Sequence, residues 1–339
     1  MGAPLISNAD LRHHGDLDAH AGLVDLAVNV RPHTPPEWLT ERLAAVDLAR
    51  YPDQSAALAA VAARHERRSD EVLITAGAAE AFVLLARALT PRRAVVIHPQ
   101  FTEPELALRA AGHDVEQVVL ESPFVLDPDA VPRDADLVVI GNPTNPTSVL
   151  HSAEAIRALV RPGRVVVVDE AFADCVPGEP ESLAGEPGIL VVRSLTKTWG
   201  LAGLRVGYLL ADADLLPRLR AAQPHWPVSA PALEACVGCT QPAAIAEERT
   251  WAETLGPRRE YLTAPLAGLS GAHVVPAARA SFVLVRTDQP GTWIPLRAKG
   301  FAVRRGDTFP GLGPHWIRVA VRDDATSTAF VHALQEVLR

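Results

Sequence analysis

Six short runs of aliphatic and β-branched residues punctuate the first two thirds of the chain. They are Val72-Leu73-Ile74-Thr75, Ala94-Val95-Val96-Ile97, Val115-Glu116-Gln117-Val118-Val119, Leu137-Val138-Val139-Ile140, Val165-Val166-Val167-Val168 and Ile189-Leu190-Val191-Val192. Most carry no polar alternation, the pattern of strands covered on both faces, and the segments between them have helical spacing. The pattern predicts a mostly parallel sheet between helix layers, an α/β fold doubly wound in outline. Ahead of it lie an irregular arm rich in His, Asp and Pro, a helix from Glu37 to about Leu48, a turn at Tyr51-Pro52-Asp53, and an Ala-rich amphipathic helix to about His65.

Past Leu210 the pattern changes. Segments 214–222, 230–238 and 243–269 read as helices, the last long enough to link two units. Shorter strands at 282–285 and 316–321 and a final helix at 325–338 read as a smaller α+β unit. The expected organisation is an arm over 1–30, a large domain over 31–245 and a small domain over 246–339. That suits a 339-residue chain that is 48% hydrophobic.

A net charge of −8 argues against nucleic-acid or anionic-membrane surfaces as partners, and no apolar run has membrane-spanning length. The first ten residues show no export signal, so the cytoplasm is the expected compartment. Cys236-Val237-Gly238-Cys239 has the spacing of a metal or redox pair. It sits in an Ala/Leu-rich helical stretch with no second pair and no nearby His, so it reads as packing, and no metal is expected.

The lysine count changes the picture most. The chain has two lysines, Lys197 and Lys299, against 30 arginines. Arginine replaces lysine as a cation but cannot act as an amine. Lys197 lies in Ser194-Leu195-Thr196-Lys197-Thr198-Trp199-Gly200, with Arg205 eight residues on, and a lysine retained there points to Schiff-base chemistry with pyridoxal phosphate. Lys299 reads as a surface residue.

Other candidates fall at the carboxyl ends of the predicted strands, where ligands of open α/β sheets bind. The turn Gly77-Ala78-Ala79-Glu80 opens a helix and could hold an anion on backbone N–H groups. Phe101 could cover a flat ring or simply pack in the core. Asn145 follows Gly141-Asn142-Pro143-Thr144, and a loop with two Asn-Pro pairs can present an amide rigidly. Asp169 ends a run of four valines, so a cationic partner such as a protonated ring nitrogen would suit it, though a helix cap or an arginine partner would also do.

Taken in order, Tyr51-Pro52-Asp53, Gly77-Ala78-Ala79-Glu80, Asn145-Pro146-Thr147, Asp169-Glu170-Ala171-Phe172 and Ser194-x-Thr196-Lys197 with Arg205 resemble fold-type-I pyridoxal-phosphate enzymes. The resemblance is closest to the class I/II aminotransferase group of histidinol-phosphate aminotransferases and threonine-phosphate decarboxylases, the latter of the cobalamin pathway. It runs from about His13 to Arg322. It implies the two-domain fold of that family, with Lys197 carrying the cofactor and moving protons, and Asp169 holding the ring nitrogen protonated. Asn145 would bond the phenolic oxygen and Phe101 would cover the ring. Ala78, Ala79, Ser194, Thr196 and Arg205 would hold the phosphate. Tyr51 would reach the other subunit's cofactor in a homodimer.

His13-His14-Gly15-Asp16, the Asn-containing segment Leu26 to Val30, and Phe309-Pro310-Gly311-Leu312-Gly313 ahead of Arg318 and Arg322 resemble the decarboxylase branch. So does Phe172, where many aminotransferases carry Tyr. The implied substrate residues are Arg318, Arg322, Arg304, His13 and Asn29. The expected function is decarboxylation of threonine phosphate or a close phospho-amino acid. The alternatives are transamination of the histidinol-phosphate type with a 2-oxo acid, or a non-catalytic relative that keeps the cofactor. Ser148 and His14 stand where the pattern has Gly.

Overall fold

The computed structural model describes residues 8–339. Twelve strands are formed among the described residues. They are β1 (Val24–Leu26), β2 (Val72–Thr75), β3 (Ala94–His98), β4 (Val115–Val119), β5 (Leu137–Gly141), β6 (Val165–Asp169), β7 (Ile189–Ser194), β8 (Gly207–Leu210), β9 (Ala272–Val274), β10 (Phe282–Thr287), β11 (Phe301–Arg305) and β12 (Trp316–Ala320).

The larger sheet has seven strands in the order β2-β8-β7-β6-β5-β3-β4. Pairings from β7 through β4 are parallel, and β8 runs antiparallel to both β2 and β7. The all-aliphatic runs supply the interior strands. In β5 every residue is buried, as two-sided cover by helices requires. At the sheet edge, Val-Glu-Gln-Val-Val in β4 is only partly covered. The strand of this sheet missing from the sequence reading is β8. Gly-Tyr-Leu-Leu is four residues long, and Gly207 is required because a Cβ there would meet the Arg193 carbonyl at 2.6 Å. The helix predicted over 37–48 stops at Ala44, and Asp47 then accepts from the Ala49 N–H at 2.9 Å in a turn of its own.

The smaller sheet has five strands in the order β1-β11-β12-β10-β9. Its edge strand β1 comes from the amino-terminal arm and pairs parallel with β11. Only Val24–Leu26 is strand there, so Asn29 lies beyond it, after a bend at Ala27 and Val28, and is buried. Helix Pro242–Ala267 runs between the units and packs on the terminal helix Asp324–Val337. Cys236 and Cys239 are buried on helix Ala230–Cys239, and burial pushes the Cys236 thiol up to about 12, out of reach of thiolate chemistry near neutrality.

Candidate active site

The ends of β2, β5, β6 and β7 converge on a cavity of about 160 Å³. Its walls include Gly77 to Ala79, Phe101, Asn145, Asp169, Ser194, Thr196, Lys197 and Arg205. All but Arg205, which precedes β8, are delivered where a strand runs into the following loop or helix. Helix Ala78–Ala88 starts at the β2 end and points the N–H groups of its first turn at the cavity. Gly77 has φ 79°, and a Cβ there would sit 2.8 Å from Arg205 Nη2, so only glycine lets the arginine lie over this turn. Arg205 itself has φ 57° and donates to the Ala202 carbonyl at 3.1 Å.

Lys197 stands on the short turn Thr196–Trp199, which Gly200 ends in the left-handed conformation. Its Nζ lies 5.6 Å from the Phe172 ring centre and makes no hydrogen bond to another described residue. Desolvation, with Arg318 nearby, lowers its pKa to about 8, against the opposing pull of Asp169. Desolvation raises Asp169 to about 6, although the Ala171 N–H donates to its Oδ1 at 3.0 Å. The site thus holds a readily deprotonated amine and a carboxylate that gains from a cationic partner.

A second cavity of about 240 Å³ shares Phe101, Asn145, Phe172, Thr196, Lys197 and Arg205 with the first and continues toward the smaller sheet. Arg304 on β11 and Arg318 on β12 are register partners, so both side chains leave the same face of that sheet. Both are buried. Arg318 donates to Asn145 Oδ1 and to the Ala27 carbonyl. With the Asn29 amide turned oxygen-inward, as the neighbouring donors require, that oxygen accepts from Arg318 Nε at 3.1 Å and Nη1 at 3.0 Å. Among the described residues no carboxylate bonds Arg318. Desolvation and Arg304 make its charge costly, and the cavity is therefore built for an anion. Arg304 is partly compensated, donating to the His13 carbonyl at 2.5 Å and to Asp18 Oδ2 at 3.5 Å.

Two residues of the implied substrate set lie off the walls. Arg322 follows the end of β12 and donates to the carbonyls of Asp25 at 3.2 Å and Val28 at 2.6 Å, holding the arm in place. The His13 ring turns to Asp18, 2.9 Å away. It is His14 that lines the cavity, 5.4 Å from the Phe101 ring centre and 2.6 Å from Glu103 Oε1. Asp16 and Phe309 also line it, and the sequence offered no spacing by which to place them there. Tyr51 is not among these walls and is 76% exposed, stacked on Trp226 at 4.4 Å. Lys299 pairs with Glu336 at 2.5 Å on the surface.

Comparison with known proteins gives a match of the family model described as aminotransferase class I and II over residues 21–334. A histidinol-phosphate aminotransferase of Mycobacterium tuberculosis (strain ATCC 25618 / H37Rv) is 53% identical over 324 residues, covering 93% of this chain and 88% of that protein. A threonine-phosphate decarboxylase of Salmonella typhimurium is 29% identical over 339 residues, covering 93% of this chain and 91% of that one. In three dimensions the chain resembles the crystal structure of a histidinol-phosphate aminotransferase from Clostridium acetobutylicum. The TM-score is 0.83 and the identity 24%, with 92% of this chain and 98% of that chain covered.

Proposed function

The chain belongs to the class I and II aminotransferase family, takes pyridoxal 5'-phosphate and has the fold-type-I architecture, and from that premise we propose that it is an aminotransferase for a small phosphorylated amino compound of the histidinol-phosphate type, with a 2-oxo acid as acceptor. The observation that carries this reading is Arg318. It is a buried guanidinium with no carboxylate partner among the described residues, facing a cavity that shares its wall with Lys197. Such a group suits a phosphate in one half-reaction and a carboxylate in the other. The sequence alone favoured decarboxylation, but the 53% relative bears a transaminase name and the decarboxylase relative stands at 29%.

The residues present fit the cofactor. The first turn of helix Ala78–Ala88, Ser194, Thr196 and Arg205 would hold its phosphate, and the Gly77 notch leaves room for Arg205 to do so. Asp169 would keep a proton on the ring nitrogen, where its carboxylate gains the cationic partner that burial makes it need. Asn145 would hold the phenolic oxygen through the Nδ2 end, its Oδ1 being engaged by Arg318. When bound, the cofactor supplies the electron sink for charge at the substrate α-carbon. Lys197, with its pKa near 8, would bear the cofactor and then take and return a proton at that carbon. Phe101 would cover the ring.

Tyr51 and Trp226 form an exposed aromatic pair. In a homodimer that pair would be covered, with Tyr51 reaching the other subunit's site. Decarboxylation stays as a second reading on one observation. Phe172, packed edge-on to Phe282 at 4.9 Å, offers no hydroxyl to the site.

Product analysis tests the assignment. Amino transfer from histidinol phosphate to 2-oxoglutarate, without carbon dioxide from threonine phosphate, is expected. The reverse outcome installs the decarboxylase.

A further inference from the structure

Behind the lysine lies a polar contact that none of the roles above uses. Thr198 Oγ1 donates to Asp174 Oδ2 at 2.6 Å, and both residues are buried. Thr198 is the neighbour of Lys197 on the turn Thr196–Trp199. Asp174 lies in the 3₁₀ turn Ala173–Cys175, five residues after Asp169 at the end of β6. The bond therefore joins the segment that carries the amine to the segment that carries the carboxylate. The second oxygen, Asp174 Oδ1, is buried with no partner among the described residues. Asp174 also lines a cleft of about 310 Å³ on the side away from the cofactor cavity, together with Arg64, His65, Glu179, Glu248 and Arg249.

We propose that Asp174 and Thr198 are a positioning pair that fixes the height and orientation of Lys197 relative to Asp169. The turn bearing Lys197 is one helical turn long, too short to hold itself. Trp199 at its far end is anchored in the core against Trp38, and its polar ties around Lys197 itself are the Lys197 carbonyl, which accepts from the Arg31 N–H at 2.8 Å, and the Thr198 hydroxyl. Losing the second removes the polar tie beside Lys197 and lets the lysine's backbone shift within the turn, although Trp199 stays anchored. The lysine amine then gains water, and the desolvation that lowers its pKa weakens. Around Asp174 stand Glu248 from helix Pro242–Ala267, Glu179 from the following loop, Arg193 from β7 and the Cys175 thiol. Arg64 bridges Glu248 at 2.5 Å and Glu179 at 3.3 Å, and Arg193 reaches Glu170 at 3.1 Å. Burial and Glu248 raise Asp174 to about 7, so near neutral pH it still accepts from Thr198 at Oδ2 while Oδ1 can keep a proton.

This inference rests on Lys197 as the cofactor-bearing amine, and its test separates the two. The full-length protein, stripped of cofactor, is labelled with an amine-acylating reagent across pH, and Lys197 and Lys299 are quantified separately by peptide mapping. The wild-type midpoint at Lys197 is expected near 8. Thr198→Val and Thr198→Ala should move it upward by about one pH unit, a tenfold change in amine availability at fixed pH, with Lys299 unmoved. They should also slow uptake of pyridoxal phosphate. Thr198→Ser and Asp174→Asn keep donor and acceptor and should restore the wild-type midpoint. Unchanged Lys197 midpoints and uptake in Thr198→Ala, the variant with least steric risk, overturn the proposal, as does failure of Thr198→Ser to rescue. If borohydride fixes no cofactor on wild-type Lys197 while the Thr198→Ala midpoint still shifts, the cofactor reading fails and the positioning role stands.

Discussion

Ser148 is the sharpest test of how the two sheets are joined at the site. It stands where a glycine was expected, and its φ of 62° is a conformation that favours glycine. The structure shows what the serine gains. Its Oγ accepts from the Ala280 N–H at 2.8 Å and the Arg279 N–H at 3.1 Å, tying the loop after Asn145 to the segment entering β10. Arg279 N–H also reaches the Ser148 carbonyl at 2.8 Å, so removing the hydroxyl orphans only the Ala280 N–H, on a fully buried residue. An orphaned buried donor costs about 1–3 kcal/mol. Ser148→Ala suffers that loss and keeps the backbone strain. Ser148→Gly suffers the same loss but relieves about 1–2 kcal/mol of left-handed strain. Of that relief, about 0.4–1 kcal/mol is returned to the freer unfolded chain. The expected stability order is wild type, then Ser148→Gly, then Ser148→Ala, with the two variants separated by about 0.5–1 kcal/mol. Thermal and urea unfolding of the three purified proteins measures it, and KM should rise in both variants because the same loop positions Asn145 against Arg318. A Ser148→Ala protein as stable as Ser148→Gly would show that the strain at the positive φ is no larger than the unfolded-chain offset. A Ser148→Gly protein above wild type would show that the hydroxyl bonds do not outweigh it.

Three further outcomes are expected. Asp169→Asn should fold and bind cofactor yet lose turnover on the order of 10²-fold or more, since it keeps shape and removes charge, and near-normal turnover would take Asp169 out of the site. Mixing Tyr51→Phe chains with Lys197→Ala chains should produce heterodimers with one native site, because an intact Lys197 then meets an intact Tyr51 from across the dimer. Activity that does not rise on mixing would place Tyr51 in its own subunit's service or in none. Asp174 binds its proton more firmly folded, at about 7, than unfolded, at about 3.8, so its contribution to the cofactor-free chain is fully present below pH 4 and is lost as pH rises to 7. Asp174→Asn should therefore gain on wild type across that window and run parallel above it; a pH-independent gap between their unfolding curves would contradict the raised pKa.

What the sequence made legible follows from how each signal is encoded. A strand buried on both faces must be aliphatic throughout, so β3, β5, β6 and β7 announce themselves in four to six letters, and the chemistry at their ends is found by reading one residue further. Lys197 is legible for a different reason: the chain spends arginine wherever a cation suffices, so a retained lysine marks a need for an amine. The substrate end lacked both kinds of signal. Arg318 and Arg322 are four residues apart and look alike in sequence. Only the pairing of β11 with β12 sets Arg318 opposite Arg304 on one face, while Arg322 falls past the strand end onto the carbonyls of Asp25 and Val28. Likewise His13 and His14 differ by one position, and in the arm that is enough to turn one ring to Asp18 and the other to the cavity. Thr198 and Asp174 lie beside residues the sequence did single out. Yet a hydroxyl next to a lysine and a carboxylate five residues past another carry no periodicity, and their bond exists only because β6 and β7 are neighbours in the sheet. The residues proposed to hold the cofactor are positioned mostly by local strand-to-loop transitions and can be read locally. The residues that would choose a substrate and hold the lysine are positioned by contacts spanning 24 residues (Asp174–Thr198) to 291 residues (Ala27–Arg318), and these had to be seen in the fold.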